Sequence, residues 1–136
     1  MINVIVLTPT PSGIVRTDLQ QLEDAETEHG RNQLQQLVGG YIEVVRISKD
    51  CVFIVNDEGA LNSNRILNRT ASAFYPGEIY GVAVAAGIEN RPDGAYIVDC
   101  PEHFMENIYS ELHVVLSRAI TYYLKKHENE NGGILK

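Results

Sequence analysis

The chain has 136 residues, with 11 lysines and arginines against 18 aspartates and glutamates, so its net charge is −7 when the histidines are neutral. A hydrophobic content of 44 % and a charged content of 21 % are typical of a globular domain and exclude a wholly disordered chain. No segment approaches the ~20 apolar residues of a membrane-spanning helix, and the acidic balance disfavours long nucleic acid as a partner.

The amino-terminal segment predicts a short strand followed by an interrupted helix. Residues 3–7 are apolar and rich in β-branched side chains, and they end at a proline-rich turn, which is typical of a buried strand. Residues 18–38 place apolar side chains at helical spacing on both sides of an interruption at 29–30. The acidic residues within 23–28 are interpreted as the solvated face of this helix. Gly39 is expected to end the helix, because glycine readily adopts the left-handed conformation found there.

The middle of the chain predicts strands joined by turns. Residues 41–47 and 51–55 are both β-rich, and the three residues between them suit an antiparallel hairpin. Residues 60–76 mix asparagine, arginine and apolar side chains, which predicts a loop that contains a helical turn. Residues 78–88 are small and apolar, as in a central strand with close backbone neighbours. Residues 95–99 predict one further short strand.

The carboxy-terminal segment sets the predicted fold class. Residues 101–127 carry apolar side chains every three or four positions, which predicts a long amphipathic helix. We therefore expect an α+β fold: a small, mainly antiparallel sheet with one interrupted N-terminal helix and a long C-terminal amphipathic helix. Residues 1–127 are expected to form one domain and 128–136 a flexible tail. The apolar stripe favours a homo-oligomer over a monomer whose helix crosses the whole sheet.

The sequence contains no motif that demands catalysis. It has no phosphate-binding glycine loop, no HExxH and no nucleophile elbow. Asp57 and Glu58 could supply a general base, but their position beside a glycine is more typical of a turn. Cys100 and His103 could converge on a metal, yet two further ligands would have to come from elsewhere. We expect a protein that is not an enzyme and holds neither metal nor cofactor, with Cys51 and Cys100 as buried thiols.

The candidate binding residues centre on positions 62–69, which are rich in arginine and asparagine for so acidic a chain. Arginine offers a planar fork for phosphate, asparagine offers paired donor and acceptor groups, and tyrosine can stack a base. The predicted ligand-binding residues are Asn64, Arg65, Asn68, Arg69, Tyr75, Tyr80, Asn90, Arg91 and Arg118. The alternative is that Arg65 and Arg69 pair with carboxylates while the asparagines cap turns.

Three short motifs carry a resemblance to a known family. They are Val38-Gly39-Gly40-Tyr41-Ile42-Glu43, Asn56-Asp57-Glu58-Gly59 and Asn64-Arg65. The chain resembles a family of small uncharacterised proteins of bacteriophages and mobile elements, whose members show a VGGYIE segment, an NEEG-like turn and a following NR. The resemblance covers residues 1–88 and is closest over 34–65.

The resemblance implies a function by analogy of class and size. Small acidic phage proteins that oligomerise resemble anti-defence proteins that sequester nucleotide second messengers, such as those that act against Thoeris and CBASS. The expected partner is a cyclic nucleotide or a cyclic ADP-ribose derivative, held uncleaved in the cytoplasm of the host bacterium. The alternative is an acidic inhibitor or DNA mimic that blocks a host defence enzyme through residues 23–28. A nucleotide-processing enzyme with Asp57 or Glu58 as its base is a third hypothesis.

Overall fold

The computed structural model describes residues 1–108, and its main feature is a six-stranded antiparallel sheet. The elements are, in chain order, β1 (Ile2–Pro9), β2 (Val15–Leu22), α1 (Glu28–Val38), β3 (Ile42–Arg46), β4 (Cys51–Asn56), a 3-10 turn (Gly59–Leu61), α2 (Arg69–Ala73), β5 (Ala83–Arg91) and β6 (Gly94–Val98). Residues 102–108 are also helical. No helix within residues 1–108 combines the length and the apolar character that crossing a bilayer requires.

The sheet is organised around β5. The strands follow the order β2-β1-β5-β4-β3, and β6 pairs with β5 outside this path. The first three residues of β5 pair with β1, and residues Val84 to Gly87 pair with β4 on the other side. From Gly87 to Arg91 the strand continues past β1 and pairs with β6. One strand therefore connects the region around Tyr80 with the distant turn between β5 and β6.

Both faces of the sheet are covered, which explains the continuous apolar runs of β1 and β4. One face packs against α1, and its core side chains are Ile2, Val4, Val6, Leu22, Leu34, Val38, Val52, Ile54, Val84 and Ala86. The intervening residues Ile5, Leu7 and Phe53 point to the other face and are fully buried as well. Phe104 packs edge-on against Phe53, with the ring centroids 5.7 Å apart. The second face is thus also part of the core.

The predicted fold class is wrong, because the described chain is mostly antiparallel sheet with three short helices. The interrupted helix over 18–38 is absent: β2 pairs with β1 over eight residues, and α1 begins only at Glu28. Leu19, expected on the buried face of a helix, is 57 % exposed. The acidic residues at 23–27 form the connection between β2 and α1 rather than a helix face.

The long C-terminal helix does not appear among the described residues either. The longest helix there is α1, with 11 residues, and only residues 102–108 of the predicted helix over 101–127 are described as helical. The rest of that prediction, and the predicted tail over 128–136, lie outside the described residues. The homo-oligomer inferred from the helix stripe therefore stays a prediction.

Local predictions with a specific turn geometry are confirmed. β3 and β4 form the expected antiparallel hairpin, with Ile42 opposite Asn56 and Arg46 opposite Val52. Gly39 ends α1 with φ of 80°, and its N–H donates to the carbonyl of Gln35 at 2.8 Å. In both places the turn is decided by a few neighbouring residues, so local sequence is sufficient evidence.

Candidate functional site

A cavity of about 200 Å³ lies where β1 ends, where β4 continues into the connection to α2, and where the chain enters β5. We term it the arginine cavity; its polar lining residues are Thr8, Asn56, Asn62, Asn64, Arg65 and Tyr80. Three of the predicted binding residues, Asn64, Arg65 and Tyr80, therefore lie together. The lining residues come from four separate parts of the chain.

Asparagine side chains shape the wall formed by residues 56–66. Asn56 Oδ1 accepts a hydrogen bond from the N–H of Glu58 at 2.8 Å. Asn62 Oδ1 accepts one from the N–H of Asn64 at 2.9 Å. In both turns the side-chain carbonyl takes the place of a backbone acceptor, which is why asparagine suits these positions. The turn-capping role considered for the asparagines of 62–69 therefore applies to Asn62, Asn56 has the same role, and Asn64 lines the cavity.

Arg65 supplies the positive charge of the arginine cavity. Its guanidinium carbon lies 5.1 Å from the centroid of the Tyr80 ring, in the range of a cation–π contact. Nη1 donates to the carbonyl of Ala60 at 3.0 Å, which orients the guanidinium and leaves other N–H groups for a ligand. Within residues 1–108 Arg65 forms no salt bridge. The pairing with a carboxylate that was considered for Arg65 is therefore not seen in this part of the chain.

Contacts of its hydroxyl and of its backbone position the Tyr80 ring at the cavity. Its hydroxyl donates to Oε2 of Glu78, and the backbone forms a bridge with Leu67. The hydrogen bond to Glu78 raises the pKa of Tyr80 above its ordinary value, with burial and the carboxylate charge acting in the same direction. A phenol with a pKa at or above the ordinary value of about 10 is protonated at neutral pH. Tyr80 therefore presents a neutral aromatic ring to Arg65.

A second cavity of about 130 Å³ adjoins the first and shares Asn56, Gly59 and Tyr80 with it. We term it the carboxylate cavity, after its acidic lining residues Glu43, Asp57 and Glu78. Tyr75, another predicted binding residue, also lines it. Tyr80 thus stands between a cavity with a cation and a cavity with three carboxylates.

Asn68 is part of the scaffold, Arg69 lies on the surface, and neither residue lines a cavity. Asn68 is completely buried, and its Nδ2 donates to the carbonyls of Leu7 and Gly81, both at 3.0 Å. Its Oδ1 accepts from the N–H of Ala71 and caps α2. These bonds use both amide donors. Arg69 is exposed and does not line either cavity.

Asn90 and Arg91 lie at the far end of β5, whose 9 residues span about 26 Å at 3.3 Å per residue. Arg91 pairs there with Glu89 at 2.8 Å, and its guanidinium carbon lies 4.2 Å from the centroid of the Tyr96 ring. The structure therefore does not bring this pair to the arginine cavity. Arg118 lies outside the described residues.

The prediction omitted Thr8, Asn56, Asn62 and Glu78. Asn56 had a usable signal, since an asparagine between a buried strand and a turn is typical of side-chain capping. Asn62 also had a usable signal, because it is the first residue of the Asn/Arg-rich stretch over 62–69. Thr8 had no signal, because only the pairing of β1 with β5 places it beside the start of β5.

A family model described as a domain of unknown function, DUF3846, matches residues 3–113 of this chain. The chain belongs to the DUF3846 family. This confirms membership of an uncharacterised family, and the match extends past the residues 1–88 on which the resemblance rested. No curated protein and no solved structure matches the chain at a significant level.

The residues considered for metal binding in this DUF3846 protein have other contacts. His103 Nε2 lies 2.8 Å from Oδ2 of Asp50, and the Cys100 thiol contacts the carbonyl of Pro101. No group of three or more His, Cys, Asp or Glu side chains suited to a metal occurs within residues 1–108. Cys51 and Cys100 are free and buried, as predicted. The neighbouring Cys100 thiol, together with burial, raises the pKa of Cys51.

Proposed function

We propose that this DUF3846 protein binds a small nucleotide in the arginine cavity and holds it without cleaving it. In this proposal it is a bacteriophage anti-defence protein that sequesters a nucleotide immune messenger, such as a cyclic nucleotide or a cyclic ADP-ribose derivative, in the host cytoplasm. The observation that carries the proposal is the guanidinium of Arg65 over the Tyr80 ring, beside the amide of Asn64, at the wall of a cavity.

Each group at the cavity has a counterpart on a nucleotide. The Arg65 guanidinium is a planar donor fork that matches phosphate oxygens. The Tyr80 ring offers a surface on which a base or ribose can pack, and the Asn64 amide offers a donor and an acceptor. The volume of about 200 Å³ is below the ~300–1,000 Å³ of drug-sized ligand sites. The cavity therefore suits one nucleotide unit, and a larger messenger would extend out of it.

Sequestration needs only affinity and abundance. A protein present above its dissociation constant lowers the free concentration of its ligand by mass action, as in any binding linkage. The groups at the arginine cavity are hydrogen-bond donors, acceptors and an aromatic ring rather than a pair of proton-transferring groups. The proposal therefore includes release of the ligand in chemically unchanged form.

The alternative of an acidic inhibitor has no comparable support. It required residues 23–28 to present an acidic helix face, but residues 23–27 form the connection between β2 and α1. Oε1 of Glu26 accepts a hydrogen bond from the N–H of Ile97 at 3.1 Å, and Gln33 Oε1 accepts from the N–H of Glu23 at 2.8 Å. These contacts give the segment a structural role.

Arg65→Ala is expected to weaken nucleotide binding ten- to a hundredfold. Charge-assisted hydrogen bonds contribute about 1.5–3 kcal/mol, and 1.4 kcal/mol corresponds to a tenfold change in affinity. The measurement is native mass spectrometry of the full chain with cyclic mono- and dinucleotides and cyclic ADP-ribose, followed by calorimetric titration of the bound species. Denaturing the complex and weighing the released ligand tests whether it is unchanged.

Arg91→Ala is the matched control, because Arg91 also lies over a tyrosine ring but far from the cavity. It removes the same charge and is expected to leave affinity within about twofold, since exposed charges at such a distance are screened. Equal losses in the two variants would mean that net charge rather than the cavity holds the ligand. Release of a hydrolysed product would favour an enzyme.

A further inference from the structure

The two cavities are lined by opposite charges, and the Tyr80 side chain touches both charged groups. The guanidinium of Arg65 lies over its ring, and its hydroxyl donates to Glu78. Together the cavities provide about 330 Å³, from 200 Å³ and 130 Å³. This volume reaches the lower end of the range for small-ligand sites. A single nucleotide can therefore extend across Tyr80 and occupy both.

We infer that the carboxylate cavity reads the base of the nucleotide and selects guanine, while Arg65 holds the phosphate in the neighbouring cavity. This inference rests on the proposed function and narrows its ligand to nucleotides that carry guanine. It excludes cyclic ADP-ribose, whose base is adenine. Tyr80 lies between the phosphate site and Glu78, since Arg65 packs on its ring and Glu78 accepts from its hydroxyl.

The selection follows from the chemistry of a carboxylate edge. An ionised carboxylate only accepts hydrogen bonds, through two oxygens in one plane. Guanine alone among the common bases presents two adjacent donors on one edge, N1–H and the N2 amino group. Adenine and cytosine place an acceptor beside the amino group, and uracil places acceptors on both sides of its N–H. A carboxylate therefore fits guanine with two parallel hydrogen bonds and meets an acceptor on every other base.

Glu78 is the carboxylate best placed for this role. Its Oε2 accepts from the Tyr80 hydroxyl, which orients the exposed carboxylate beside the cavity. Each carboxylate oxygen accepts more than one hydrogen bond, so Oε2 can take a second donor while Oε1 takes the first. The apolar side chains of Val45, Val55 and Ile79 line the same cavity and supply a surface for the flat base.

The test is calorimetric titration of the full-length chain with GMP, IMP and AMP. The expected order of affinity is GMP over IMP over AMP, because IMP keeps the N1–H donor and lacks the amino group. GMP is expected to bind at least tenfold more tightly than AMP, since a site built to bond a donor discriminates against an analogue that lacks it. In Glu78→Gln the ratio between GMP and AMP is expected to approach one.

Glu58→Gln is the control, because it makes the same charge change in the adjoining turn and Glu58 lines neither cavity. It is expected to keep the wild-type ratio. The quantity compared between variants is the ratio of GMP to AMP affinity, because removing a negative charge changes the affinity for both phosphates alike.

Equal affinity for GMP and AMP, with binding still lost in Arg65→Ala, overturns the inference and leaves the proposed function standing. A ratio unchanged in Glu78→Gln overturns it too. Failure of all three nucleotides and of the wider messenger panel to bind overturns the proposed function itself.

Discussion

Asn68→Ala is expected to lower the free energy of unfolding by about 3 kcal/mol. Asn68 is completely buried, and three hydrogen bonds of 3.0 Å join its side chain to Leu7, Gly81 and Ala71. Leaving a buried polar group without its partner costs about 1–3 kcal/mol, and losing a helix N-cap costs about 1 kcal/mol. The substitution also leaves a cavity between β1 and the chain that enters β5. The measurement is urea denaturation followed by circular dichroism.

Two control variants separate the contributions of the Asn68 side chain. Asn68→Asp keeps the oxygen that caps α2, but it loses the amide donor and buries a carboxylate. It is expected to be as destabilising as Asn68→Ala. Asn64→Ala removes an exposed asparagine from the same connection and is expected to change stability by less than about 0.5 kcal/mol. An Asn68→Ala variant as stable as Asn64→Ala would refute the scaffold role.

Gly30→Ala is expected to destabilise the protein by at least about 2 kcal/mol, although alanine is the better helix former. Gly30 is buried in the first turn of α1, and a Cβ built there would lie 2.0 Å from the carbonyl oxygen of Asp24. That oxygen is held in place by the hydroxyl and the N–H of Thr27, at 2.6 and 3.0 Å. Helix propensity alone predicts a gain of about 1 kcal/mol for this substitution. The clash reverses the sign, since overpacking against backbone forces it to move.

Asn32→Ala provides the comparison within the same helix. Position 32 is exposed in α1, so alanine is expected to be neutral or to stabilise by up to about 0.7 kcal/mol there. Thermal unfolding of both variants by circular dichroism gives the two signs in one experiment. If Gly30→Ala were as stable as Asn32→Ala, the close approach of the residue 23–27 connection to α1 would be disproved.

The candidate site was predicted only in part, through Asn64, Arg65 and Tyr80. Asn64 and Arg65 were recognised from their own composition, and both border the arginine cavity. Arg91 was recognised by the same chemical argument and lies at the other end of β5. Residue type says which chemistry a side chain offers, but position in the sheet decides which side chains meet. Arg65 lies at the cavity near the start of β5, whereas Arg91 is the last residue of that strand.

Asn68 shows why the chemistry of a residue does not by itself assign its role. The same paired donor and acceptor that suit a base edge also suit the carbonyls of two neighbouring strands and a helix N–H. In this chain the protein itself supplies all three partners. Only the burial of residue 68 distinguishes a scaffold asparagine from a binding one, and burial depends on the packing of α2 over β1.

The sequence by itself determined the β3–β4 hairpin, the glycine cap of α1 and the buried strand β1, because each depends on residues a few positions apart. The helical turn within 60–76 and the strands predicted over 78–88 and 95–99 also correspond to α2, β5 and β6, whereas tertiary structure decided which strands pair and which side chains are buried. The residues of β2 have leucines at helical spacing, yet eight pairs with β1 make them an edge strand with Leu19 facing solvent. A spacing of three is compatible with either conformation in so short a segment. The free energy that favours the strand comes from hydrogen bonds to β1, which precedes β2 across a short turn, and the spacing of the leucines does not reveal that pairing.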